Sequence, residues 1–360
     1  SCHTGKQITA SGLQRKDFQT EVNGQHTDLF TLSNKQGMEV CITNYGARVV
    51  SILVPDRNGK REDVVCGFST ITEYMEQRQN FGSTVGRYIG RILNARFTLD
   101  GVEYKLVPNN GKSGHISHGG NPGFADRIWK VEQADTHRVR LSYLSPDGEN
   151  GFPGNLKVTL VYSLGEDDNA LDLTYEATTD APTVLNLSHH SFFNISGNFT
   201  KSVEDQQLWV DADRFTPYDD KKCVTGEYLP VAGTPLDFRM PHAIGECIDA
   251  DHPQLKVVNG YDHTWELNTK GDDTRPAAWV YDPASGRKME IFTTEPGMQI
   301  YTGNGLKGKM TGKGGIAYPF RSAVCFETMH FQDSPNQPGF PSTVLRPGEV
   351  FRSHTVYKFE

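Results

Sequence analysis

No uninterrupted apolar run of 18 residues occurs in this sequence, so nothing in it has the length of a membrane-spanning helix. A basic block is missing too: 36 Lys and Arg stand against 44 Asp and Glu, a net charge of −8. Phosphate contacts dominate the affinity of nucleic-acid binders, which excludes that class as a natural reading of an acidic chain without a basic patch. Helical periodicity is nearly absent, and its best stretch, residues 70–77, predicts one short connector helix. The chain contains no H-E-x-x-H, G-x-S-x-G or G-x-G-x-x-G, the usual marks of metalloproteases, serine hydrolases and dinucleotide-binding folds. Residues 303–309 imitate a phosphate-binding loop, but Met310 stands where a Ser or Thr must reach Mg²⁺, and no helical pattern follows. The six cysteines are scattered with no C-x-x-C pair. Cys41, Cys66 and Cys325 lie in apolar, strand-like runs and are read as buried free thiols.

What is present is turn chemistry and alternation. The 360 residues include 36 Gly, 19 Pro and 10% aromatics, and a chain near 300 residues buries roughly 75% of its unfolded surface without staples. Arg96-Phe97-Thr98-Leu99 runs through Asp100-Gly101 into Val102-Glu103-Tyr104-Lys105. Asp-Gly supplies the positive φ values of a two-residue turn, so this is a β-hairpin. Residues 156–162 and 171–175 alternate in the same way around an all-turn connector at 164–169, and Val49-Val50-Ser51-Ile52-Leu53-Val54 leads into Pro55-Asp56-Arg57-Asn58-Gly59. Many short strands with few helices predict an all-β fold, a large β-sandwich or barrel. No linker or internal repeat divides the chain, so one domain over residues 18–360 is expected, behind a flexible tail at residues 1–17. The start, Ser1-Cys2-His3 without Met, favours an exported protein, periplasmic or lipid-anchored through Cys2, with a trimmed cytoplasmic protein as the alternative.

Candidate chemistry concentrates in three places. His115-Ile116-Ser117-His118-Gly119-Gly120 combines histidines with glycines that permit a sharp turn or a close backbone approach. Ser188-His189-His190-Ser191 holds adjacent histidines, which face opposite sides on a strand, so one of them at most points into a given pocket. No neighbouring Cys or carboxylate completes a zinc ligand set around these histidines, and no metal is expected. Ala323-Val324-Cys325-Phe326-Glu327-Thr328-Met329 places a Glu inside an apolar strand, on one face with Cys325 and Met329. Partial burial there raises a carboxyl toward the range of a general base; the alternative is an edge-strand Glu facing water. One Glu, several His and an aromatic-rich β protein suit a sugar substrate.

These segments also carry a likeness. Asn44-Tyr45-Gly46-Ala47, Val85-Gly86-Arg87, Arg91-Ile92, His118-Gly119-Gly120, Asn186-Leu187-Ser188-His189-His190, Gly260-Tyr261-Asp262-His263, Glu295-Pro296-Gly297-Met298-Gln299, Glu327-Thr328 and Leu345-Arg346-Pro347-Gly348-Glu349 follow one another in the order of a known family. From about Asn44 to Phe359 the chain resembles aldose 1-epimerases, the galactose mutarotases. That resemblance implies a single β-supersandwich and an isomerase acting on a small aldose such as galactose or glucose, without cofactor or metal, as a monomer or weak dimer. It implies Glu327 as general base, His190 as general acid and His118 as the histidine beside the ring oxygen. Arg91, Asp262 and Gln299 are implied as sugar-binding residues. Three positions depart from the family pattern: Gly90 stands where many members have Asn, Gly305 where many have an aromatic, and His189 where Asn is common. A sugar contact at Gly90 and a packing platform at Gly305 are therefore expected to be missing. The alternatives are a phosphosugar epimerase of the same superfamily, for which Arg87 is the obvious anion-binding candidate, and a non-catalytic carbohydrate-binding sandwich.

Overall fold

The computed structural model describes residues 6–360, so Cys2, on which the export expectation rests, lies outside the described residues. Strands dominate, with two short α-helices, Ile71–Gln77 and Pro253–Lys256, among the described residues. The first is the predicted connector, begun by Thr70, whose hydroxyl accepts the Glu73 N–H as an N-cap. The predicted hairpin is present as Arg96–Leu99 against Val102–Lys105, with Asp100 and Gly101 both at positive φ.

A nine-stranded antiparallel sheet runs Lys130–Ala134, Arg138–Ser145, Leu156–Leu164, Ala170–Thr179, Phe351–Phe359, Lys288–Thr293, Ala278–Tyr281, Gln207–Val210 and His242–Ala243. Its long strands alternate as the sequence requires: in Leu156–Leu164, residues 156, 158, 160, 162 and 164 are buried and those between are not. Each such Leu or Val contributes about 1.5–3 kcal/mol on leaving water. Packed against this sheet is a six-stranded one, ordered Phe192–Phe193, Val324–Met329, Gly297–Tyr301, Asp262–Glu266, Arg214–Thr216 and Leu229–Pro230. The layers meet where Thr328 Oγ1 lies 2.7 Å from Thr355 Oγ1 and the Tyr357 hydroxyl donates to the Phe326 carbonyl. Phe326 and Thr328 thus face the inner core, which turns Cys325, Glu327 and Met329 to the opposite face of the six-stranded sheet. A four-stranded sheet, Leu29–Ser33 through Arg61–Asp63, shares the core cluster that extends from Phe30 to Phe359.

The N-terminal stretch departs from the expected tail. From Thr9 onward it packs on the domain: Leu13 and Arg15 are buried, and Arg15 pairs with Asp28 at 2.7 Å. The reason is Glu39, a buried carboxylate on a strand buried throughout, which takes hydrogen bonds from the Ala10 and Ser11 amides at 2.8 and 3.1 Å. Cys41, Cys66 and Cys325 are buried free thiols, as expected; Cys223 and Cys247 are free and partly exposed.

Candidate active site

On the outward face of the six-stranded sheet a cavity of about 630 Å³ opens, within the range typical of small-molecule sites. Strand register builds its floor. Glu327 is paired with Gln299, and Gln299 with Thr264, so three polar side chains stand in one row across three strands. Asp262, two residues before Thr264, belongs to the same face, and Gln299 Nε2 donates to its Oδ1 at 2.8 Å. The Gln299 carboxamide is locked from the other side by the Thr264 hydroxyl, which donates to Oε1.

The histidines come from the loops and short strands above. Ser188–His190 pairs with Ser83–Val85, and of the two adjacent histidines it is His190 that enters the cavity, Nε2 3.2 Å from Glu327 Oε1. His189 points the other way, with Nε2 2.5 Å from the Ser191 hydroxyl and its ring against Tyr162 and Tyr357. Phe192 stacks on His190 at 5.0 Å and fixes its plane. His118 approaches edge-on, 5.5 Å between ring centroids, from the turn that Gly119 and Gly120 complete. Gly119 is required there: a Cβ on it would lie 2.1 Å from the Gly86 carbonyl oxygen. The Gly90 N–H donates to His118 Nδ1 at 3.1 Å, which leaves the proton of the neutral ring on Nε2. Arg91 lines the cavity and donates to the Lys222 carbonyl at 2.7 Å. All six residues named from the sequence, Glu327, His190, His118, Arg91, Asp262 and Gln299, therefore line one cavity.

Burial governs the electrostatics. It pushes the Glu327 carboxyl well above the usual carboxylate range, with the nearby Asp262 carboxylate adding to the effect. It holds His190 well below the usual histidine value, helped by the rings of His118 and His189. Groups 3.2 Å apart and displaced in opposite senses titrate as a pair, so the single-proton state belongs to both. Burial also lowers His118 to about 4, with Arg91 contributing, which keeps it a neutral donor. Asp262 is raised to about 6 by burial, against the lowering effects of its Gln299 hydrogen bond and of Arg91.

Two expectations need correction. The fold does bring a Cys and a carboxylate to His190: ligand atoms of His190, Cys325 and Glu327 lie within 4.8 Å of one another. Strand pairing achieves this across more than a hundred residues, which local spacing cannot reveal. The set fits a metal poorly, because burial pushes the Cys325 thiol well above its usual value and a metal ligand must be the thiolate. Arg87, the candidate anion receptor, is no receptor at all. It is 1% exposed, and its guanidinium donates to the carbonyls of Ser145, Pro146, Pro153 and Gly154 and to the hydroxyls of Ser145 and Thr183. Arg87 thus gives the phosphosugar alternative no anchor, and the cations that do line the cavity are Arg91, Lys222 and Lys256.

Residues the sequence left unmarked also line the cavity: Tyr218, Lys222, Asn259, Tyr301, Asn304 and Gln332. They lie in loops and strand ends with no local motif. At Gly305 the missing aromatic is offset by Tyr301, whose hydroxyl accepts the Gly305 N–H at 2.7 Å and whose ring meets Phe192 edge-on at 6.0 Å. A Cβ on Gly305 would come within 2.8 Å of that hydroxyl.

Comparison with known proteins agrees with this architecture. The aldose 1-epimerase family model matches residues 28–358. A galactose mutarotase of Sus scrofa is 39% identical over 330 residues, covering 92% of this chain and 93% of the relative. An aldose 1-epimerase of Escherichia coli (strain K12) is 36% identical over 339 residues, 94% of this chain and 96% of that protein. Among solved structures, an aldose epimerase homologue from C. elegans superposes with a TM-score of 0.85 at 31% identity, covering 93% of this chain and 99% of the other. A galactose 1-epimerase from Lactobacillus acidophilus NCFM gives 0.82 at 28% identity, with 95% and 96% covered. With a family match across most of its length and a shared β-sandwich, this chain belongs to the aldose 1-epimerase family, isomerases that act on carbohydrates.

Proposed function

We propose that this protein interconverts the α and β anomers of free aldohexoses, galactose and glucose among them, using Glu327 and His190 as the proton-transferring pair. The observation that carries this reading is the 3.2 Å contact between His190 Nε2 and Glu327 Oε1 on the floor of a polar cavity. Mutarotation needs a proton removed from the anomeric hydroxyl and one delivered to the ring oxygen. Burial favours the shared proton on Glu327. The reaction proceeds from the less populated form of that single-proton state, Glu327 carboxylate with His190 imidazolium, in which the carboxylate takes the hydroxyl proton. The C1–O5 bond breaks, its electron pair remains on O5, and O5 receives the His190 proton. His118, a neutral Nε2–H donor, supports the developing charge on the ring oxygen. The C1–C2 bond of the open aldehyde rotates, and closure with the roles reversed gives the other anomer. An acid and a base positioned together each contribute about 10²–10⁴-fold.

Arg91 and Asp262 hold the sugar, while Gln299, its carboxamide engaged by Asp262, Tyr218, Thr264 and Gln332, positions them instead of binding the sugar itself. A neutral polyol suits the pair, since it offers both donors and acceptors to a guanidinium and a carboxylate. Arg91, Lys222 and Lys256 share the cavity with Asp262 and Glu327, so charged groups of both signs face the substrate. Polarimetry on freshly dissolved α-D-galactose and α-D-glucose tests the reading: the optical rotation decays faster with the protein than in buffer. Decay at the buffer rate for every common aldose would refute it.

A further inference from the structure

The expected loss of a sugar contact at Gly90 leads to a different finding in the structure. Gly90 has φ +79°, and a Cβ built on it would lie 2.6 Å from Gln332 Cγ and 3.2 Å from Gln332 Cδ. The space a side chain at position 90 would occupy is therefore filled by Gln332, which reaches it from the loop after the strand Val324–Met329. Both residues line the cavity.

Hydrogen-bond valences around Gln332 leave two positions open. Its Nε2 donates to the Tyr218 hydroxyl at 2.9 Å and reaches Gln299 Oε1 at 3.4 Å. Its Oε1 accepts the Arg91 N–H at 3.3 Å and, as an amide oxygen, keeps a second lone pair. Tyr218 receives a second donor, Gln299 Nε2, at 3.2 Å. Two N–H groups thus occupy the lone pairs of the Tyr218 oxygen, and its own O–H meets no acceptor among the described residues. Tyr218 and Gln332 are each 8% exposed, so water does little to satisfy them from outside the cavity. One free donor and one free acceptor side by side match a hydroxyl group, which is itself both.

We propose that Tyr218 and Gln332, seated over the side-chain-free Gly90, form a specificity-determining pair that reads one non-anomeric hydroxyl of the sugar. The proposal rests on the aldose 1-epimerase reading above. It assigns discrimination among aldoses to a phenol and an amide held together by Gln299, in addition to the Arg91 and Asp262 contacts.

The test is kcat/KM for wild type and Tyr218→Phe on galactose and on its 2-, 3-, 4- and 6-deoxy analogues. Wild type is expected to lose at least about 10-fold on one analogue. Tyr218→Phe loses a comparable factor on galactose but nothing further on that same analogue, because the contact is already absent. A uniform loss by Tyr218→Phe on galactose and all four analogues would be a structural effect and would overturn the pair. The seat over Gly90 is tested separately by thermal melting. Gly90→Asn lowers the melting temperature through the clash and the left-handed backbone together, Asn being among the residues that tolerate positive φ best, and adding Gln332→Ala recovers the part owed to the clash. A Gly90→Asn protein as stable as wild type would overturn the placement. Absence of mutarotation by wild type on galactose, glucose and every analogue would instead bring down the activity itself, and the proposal with it.

Discussion

Acid should weaken sugar binding through Asp262 before it affects folding. Its carboxyl is raised to about 6 by burial, well above the solution value of an aspartate. A group of that pKa is about nine-tenths ionised at pH 7 and about one-tenth at pH 5. If only the carboxylate accepts the sugar hydroxyls, kcat/KM falls about 10-fold over those two pH units, with the loss mainly in KM. Asp262→Asn is the matching substitution, since its amide oxygen can still accept from Gln299 Nε2, now at 2.8 Å from Asp262 Oδ1. A hydrogen bond to a charged group contributes about 1.5–3 kcal/mol, so the variant loses about 10- to 100-fold in kcat/KM at pH 7. Its further loss on going to pH 5 is smaller than that of wild type. The Asp262 charge also helps raise Glu327, so removing it moves the acid limb of the catalytic pair to lower pH. Initial rates of rotation change on α-D-galactose, from pH 5 to 8 across a range of sugar concentrations, separate kcat from KM. A wild-type kcat/KM that is flat from pH 7.5 to 5, or a variant with the same acid limb, would rule out Asp262 as the titrating group.

Arg87→Met leaves four carbonyls and two hydroxyls without their guanidinium partner in a dry interior, at a cost on the order of 3–5 kcal/mol. Thermal melting should show a large drop while kcat/KM of the folded protein stays within about threefold, an outcome opposite to that of an anion-binding arginine. Thr70→Ala removes the N-cap of the helix Ile71–Gln77 and should cost about 1 kcal/mol, read as faster hydrogen exchange in that helix. His354 bridges Asp172 at 2.7 Å and Asp273 at 2.6 Å, which raises it to about 9. A histidine raised on folding stabilises fully below its unfolded value near 6.5, and that contribution disappears as pH rises through 9. The melting temperature should therefore fall between pH 6.5 and 9.5, and His354→Gln should flatten that part of the curve.

The fold was legible because β alternation and turn chemistry are local. Asp100-Gly101 turns where two positive φ values are needed, and the strand Leu156–Leu164 buries every second residue. Glu327 was visible as a carboxylate in an apolar run, although its strand is buried throughout, so alternation alone could not separate core face from cavity face. What settles that face is packing on a distant strand, through Thr328 against Thr355. Sequence left open which of His189 and His190 enters the cavity, and a likeness decided it; in the structure the pairing with Ser83–Val85 orients them. Gln332 and Tyr218 were missed because their significance lies in contacts across more than a hundred residues. Gly90 appeared in the sequence only as a loss, since the side chain that fills its space comes from position 332.

The central claim is that one buried carboxylate removes the anomeric proton. Glu327→Gln preserves shape while abolishing the base, so its polarimetric rate on α-D-galactose, beside wild type and with melting as a folding control, is the most direct test. The expected result is a folded protein whose acceleration over buffer falls by at least about 10²-fold. A folded Glu327→Gln protein that still equilibrates the anomers at a rate close to wild type would contradict it.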